Sequence, residues 1–174
     1  MGHSVYKHKI MDQRTIHNFV WIPLFIIGLV AVGLGVLWCV HPQPWILDQP
    51  PNELILQTTF LDLFSAKINT YLPNYLTVIY RFLGWWLLTS GLLIIIYLRV
   101  TRLGTKLARN SLHMILFIVL IGLYFFVFSL IPQSPFVPLL YLLTFLLFCS
   151  VYFSNRMVKW DYIAIVCVGN NLLF

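Results

Sequence analysis

Few side chains in this sequence could do chemistry, and Arg81 is the most informative of them. It lies inside the apolar run 76–98 as that run's only charge. An arginine about one turn inside the hydrocarbon of a membrane costs a few kcal/mol unless it snorkels or finds a partner. Three readings compete. Its guanidinium can snorkel to headgroups. It can pair with Asp62 or Glu53 and pin an outer amphipathic helix onto a bundle. It can also hold an anionic headgroup or substrate.

The histidines offer a second chemistry. His17 and His113 fall at the same-facing ends of two apolar runs, at similar depth. Two histidines on neighbouring helices can ligate haem iron, which makes haem the one cofactor the residue types suggest. The simpler reading is a pair of polar anchors near an interface. Cys39, Cys149 and Cys167 form no CxxC or Cys/His cluster, so no metal site is expected. Asp62 and Glu53 are too far apart in sequence to face each other as an acid–base pair. Ser90 has no histidine at equal depth. No acidic residue lies inside an apolar run, which disfavours a proton-driven transporter.

These residues need elements to position them, and composition says which kind. The 174 residues are 60% hydrophobic and 9% charged, against about 25% charged in soluble domains. About 20 apolar residues of helix cross a bilayer core, and four runs are long enough: about 18–40, 74–98, 111–130 and 136–154. The expectation is an all-α integral membrane protein, a four-transmembrane-helix bundle over 18–154. A polar segment, 1–17, precedes it and a tail, 155–174, follows. The run after residue 17 is too long for a signal h-region and lacks a small-x-small cleavage site, so it reads as a retained span. Prolines in HPQPW and DQPP break the chain after the first span. The outer loop 41–73 then carries an amphipathic helix over 53–72, with Asn52 as its N-cap and Leu54, Leu61, Phe64, Ile68 and Leu72 as its apolar stripe. Pro73 ends it. On the first span Gly28, Ala31 and Gly35 share a face, and on the second Gly84 and Gly91 do, so these are helix-packing positions.

Charge sets the orientation. Nine of the eleven Lys and Arg residues fall in the N-terminal segment, the 99–109 linker or the tail, and only Lys67 and Arg81 fall elsewhere. The positive-inside rule then puts both termini in the cytoplasm, with the plasma (inner) membrane the simplest location. Arg99, Arg102, Lys106 and Arg109 are spaced to lie on one side of a short interfacial helix, toward lipid phosphates. The basic residues cluster at span ends, so no nucleic-acid partner is expected. The expected function is non-catalytic: an accessory or assembly subunit packed against a membrane-protein partner or a second copy. The alternatives are a bundle that binds a hydrophobic ligand (lipid, quinone or haem) and an enzyme that modifies lipids.

Overall fold

The computed structural model describes residues 2–130 and 136–157, with side chains described for 15–129 and 136–157. The described residues are helical almost throughout and none is in a strand. The elements are α1 (Gly2–Val40), α2 (Gln49–Leu56), α3 (Phe60–Ser65), α4 (Leu72–Thr101), α5 (Lys106–Leu130) and α6 (Val137–Arg156), with short 3-10 turns at Pro44–Asp48 and Lys67–Asn69. Four segments are long and apolar enough to cross a membrane: Thr15–Val40, Lys67–Thr101, Lys106–Ser129 and Val137–Arg156. The turn at 131–135, Lys159, Trp160, Cys167 and the apolar tail lie outside the described residues.

The expected all-α bundle is what the chain forms, with α1 as its hub. Its largest interface is with α4, its next with α6, and α5 packs on α6. Backbones come closest between α1 and α4. A Cβ built on Gly91 would stand 2.7 Å from the Gly28 carbonyl, and one on Gly35 would stand 2.7 Å from the Gly84 carbonyl. Gly28 and Gly35 are seven apart, as are Gly84 and Gly91, so an antiparallel pair meets glycine to glycine twice. Ala31, between them, is only half-buried. The core beyond this seam is leucine-rich, with Leu24 and Leu98 fully buried beside Leu116 and Leu147.

Several local expectations change. α1 starts at Gly2, so Pro23 lies in the interior of a long helix rather than in a first turn. Such a proline removes one backbone bond, a loss that neighbouring helices in a membrane bundle can absorb. The helix expected over 53–72 is instead two short helices and a 3-10 turn. α2 starts at Gln49, with prolines in its first turn, and stops at Gln57, whose φ of 52° is left-handed. α3 restarts under a Thr59 cap whose hydroxyl accepts the Asp62 amide at 3.1 Å. This break spoils the expected stripe: Leu61 and Ile68 are 82% and 91% exposed, while Phe60 turns inward at 4%. Pro73 does not end a helix but sits in the first turn of α4, where a missing N–H costs little. The basic linker is not helical through its length either. Arg102 and Leu103 both adopt positive φ, which stops α4 and turns the chain into α5.

Candidate functional site

The loop segment 41–71 folds as a cap over the start of α4, and a polar cluster sits beneath it. Tyr80 lies two turns into α4 and is 9% exposed. Its hydroxyl donates to Asp48 Oδ2 at 3.2 Å and accepts from Asn52 Nδ2 at 2.6 Å. The same amide nitrogen reaches the Asp48 carbonyl at 2.6 Å, which ties the first turn of α2 to the preceding 3-10 turn. Trp45 stands beside them, edge-on to Phe60 and Phe64 at 5.2 and 5.0 Å, and Trp38 of α1 meets the Tyr80 ring edge-on at 5.8 Å. The Asp48 carboxyl is pushed above its ordinary range by burial, with the hydrogen bonds from Tyr80 and Asn52 opposing the shift. Its Oδ1, like Trp45 Nε1, is buried with no hydrogen-bond partner among the described residues. An unpaired buried polar atom costs about 1–3 kcal/mol, so this cluster holds its geometry under strain.

A cavity of about 220 Å³ opens next to the cluster, between the cap and α4. Leu56, Phe60, Leu63, Leu72 and Leu76 line most of it, while Asn52 and Tyr80 give one wall hydrogen-bonding capacity. Its volume exceeds the ~150 Å³ cavity that suffices for a benzene ring and falls short of the ~300 Å³ at which sites for whole drug-sized ligands begin. It suits a hydrocarbon chain end or a single ring.

Arg81, next to Tyr80, points elsewhere. It is exposed, and it makes no ion pair with Asp62 or Glu53. Both carboxylates have other work. Glu53 Oε1 accepts from the Phe60 amide at 2.8 Å and from Gln49 Nε2 at 2.7 Å, so it bridges α2 to the start of α3. Asp62 Oδ2 accepts from the Thr59 hydroxyl at 2.7 Å. The polar group that the cap uses on α4 is therefore Tyr80, one residue before the arginine.

A second polar cluster lies at the opposite, basic end. Arg109 is not a lipid-facing cation: it is 2% exposed. Its Nε donates to Ser154 Oγ at 3.1 Å and its Nη1 to the Leu103 and Gly104 carbonyls at 3.0 and 3.3 Å. It thus caps the turn that ends α4 and pins it to α6. One turn further along α5, His113 Nε2 lies 2.9 Å from Ser150 Oγ, and that hydroxyl donates to the Val20 carbonyl of α1 at 2.9 Å. Tyr124 and Thr144, at 3.0 Å, repeat the α5–α6 contact further along the same pair. Two polar residues four apart on α5, Arg109 and His113, thus face two four apart on α6, Ser154 and Ser150. That matched spacing is present in the sequence and is the signal by which this network could have been found.

The same geometry removes the haem expectation. His17 and His113 do lie at one end of the bundle, both within electrostatic reach of Arg109. However, His113 is buried and its Nε2 is already engaged by Ser150, while His17 lines an open pocket between α1 and α4 to which His113 does not contribute. Arg99 and Arg102 are exposed at that pocket, and Lys106 is exposed at the start of α5. No group of three or more His, Cys, Asp or Glu side chains among the described residues could hold a metal ion. No family model, no curated protein and no solved structure matches this chain.

Proposed function

We propose that this chain is an integral membrane binding bundle, non-catalytic, that seats the apolar end of a lipid-like ligand in the cavity under the α2–α3 cap. The cavity itself carries this reading. It is apolar on most of its wall, it offers the Tyr80 hydroxyl and the Asn52 amide on the remainder, and it lies where an amphiphile in the outer leaflet could enter from the side. The positive-inside bias puts the cap on the outer face and both termini in the cytoplasm. Among the amphiphiles the sequence suggests, an acyl or prenyl chain end or a quinone ring suits about 220 Å³ and a haem does not.

Filling the cavity tests this reading. The Leu76→Trp variant occupies the space without touching Tyr80 or Asn52. Native mass spectrometry of the full chain, extracted in mild detergent, should show a retained lipid on the natural protein and at least a severalfold loss on the variant. Thermal stability of delipidated protein should be equal or higher in the variant, since filling a cavity adds apolar contact. Equal retention by both proteins would refute the cavity as the site. A stoichiometric partner protein in place of a retained lipid would favour the accessory-subunit function instead.

A further inference from the structure

The pocket at the basic end has a different chemistry from the cavity under the cap. It is an open recess of about 360 Å³ between α1 and α4, walled by His17, Asn18 and Trp21 on one side and Arg99 and Arg102 on the other, with Leu98 as its floor. Leu98 is fully buried, so the recess stops where the apolar core begins. We infer that this recess binds the phosphate of an anionic glycerophospholipid, gripped by Arg99 and Arg102 and flanked by the Trp21 ring.

Four observations support this. First, both guanidiniums are exposed and neither makes an ion pair. The three carboxylates in 15–157, Asp48, Glu53 and Asp62, are in the cap at the far end of the bundle. Arginine presents a planar fork of donors that fits phosphate oxygens two at a time. Second, the geometry removes the main electrostatic objection. The C-terminal end of a helix carries partial negative charge, which would repel an anion at the end of α4. Here Arg109 covers the Leu103 and Gly104 carbonyls just beyond that end, and its charge reaches as far as His17. Third, the recess sits at the depth of a headgroup. It straddles the last turn of α4 and the start of the apolar part of α1, with an indole at its side, as is usual at a membrane–water boundary. Fourth, the wall is mixed. The side chains of His17 and Asn18 can donate to ester or phosphate oxygens, while Leu98 and Trp21 meet the first methylenes of the chains. That combination suits a lipid better than a free anion.

The test is lipid selectivity of the full chain in nanodiscs of mixed phosphatidylglycerol and phosphatidylcholine, read as bound-lipid adducts by native mass spectrometry. The natural protein should retain phosphatidylglycerol preferentially. At about 1 kcal/mol per basic residue, the R99Q/R102Q pair should lower that preference roughly thirtyfold. The K106Q/R156Q pair removes the same charge at the same end but outside the recess. Its preference should change less than threefold, and an equal loss in both pairs would overturn the site in favour of diffuse surface charge. Trp21→Leu, which alters no charge, should lower the preference severalfold; no change there would overturn the recess as the binding place. Inorganic phosphate at 10 mM should not raise the thermal stability of delipidated protein. If it does, and R99Q/R102Q abolishes the effect, the site serves a free phosphate and the lipid assignment fails. Because Leu76 lies at the other end, the cavity-filling variant should keep its phosphatidylglycerol preference whatever becomes of the ligand under the cap.

Discussion

Replacing single glycines with alanine should separate the α1–α4 seam from every other glycine in the chain. A Cβ at Gly35 would stand 2.5 Å from the Leu88 nitrogen and 2.7 Å from the Gly84 carbonyl oxygen, where ordinary contact begins at 3.4 Å, so the helices must part locally by about 0.9 Å. Both obstacles are backbone atoms, which no rotamer change can move. Overpacking of this kind costs about 1–3 kcal/mol, and it acts against the gain of about 1 kcal/mol that alanine brings to a helix interior. Gly28 is a milder case, because the nearest atom, at 2.9 Å, is Ile95 Cγ1 on a side chain that can rotate. Gly33 is the control: nothing lies within 4 Å of its Cβ position. Unfolding in mixed SDS micelles, followed by circular dichroism, should therefore rank Gly33→Ala as neutral or slightly stabilising, Gly28→Ala as intermediate and Gly35→Ala as destabilised by about 1–2 kcal/mol. If Gly35→Ala proves as stable as Gly33→Ala, the close backbone approach between α1 and α4 is refuted.

Three further perturbations address the polar clusters. Arg109→Met should cost roughly 1.5–3 kcal/mol in the same unfolding assay, because the Leu103 and Gly104 carbonyls and the Ser154 hydroxyl lose a charged donor; an unchanged midpoint would show that the turn after α4 holds without it. Ser150→Ala and His113→Leu break the same chain of hydrogen bonds to the Val20 carbonyl, so the double variant should be less destabilised than the two single losses combined, and strict additivity would contradict the network. Asp48 should make stability depend on pH. Burial raises its carboxyl above the ordinary value of 3.8, so between that value and the raised one the folded chain holds a proton that the unfolded chain has released, and stability falls as pH rises through the window. Melting temperature against pH should be flatter for Asp48→Asn, with a gain above the window; a parallel curve would place the pH dependence elsewhere.

The sequence by itself determined the class of the molecule and much of its layout. Long apolar runs must form helices in a bilayer, because backbone groups there can be satisfied only within the segment, and the runs are long enough to read without knowing their neighbours. Glycines recurring every seven residues on two helices marked the faces that meet, since close approach needs a missing side chain. Local signals also placed the prolines that break the chain after the first span. Short elements were another matter. The left-handed turn at Gln57 divides the cap and exposes Leu61 and Ile68, and periodicity alone reads straight through it.

Tertiary structure alone decided what the polar residues do. Charge suggested Arg109 as a lipid contact, yet folding turns it inward onto carbonyls that exist as acceptors only because α4 stops at Arg102. Arg81 drew notice as a buried charge, while the cap closes on Tyr80, whose neighbours Asp48 and Asn52 come from more than 25 residues away in the chain. Depth in a membrane can be counted along one helix. Which side of that helix meets a partner depends on how the others pack, and here that packing separates a recess with two free arginines from an apolar cavity at the opposite end of the bundle.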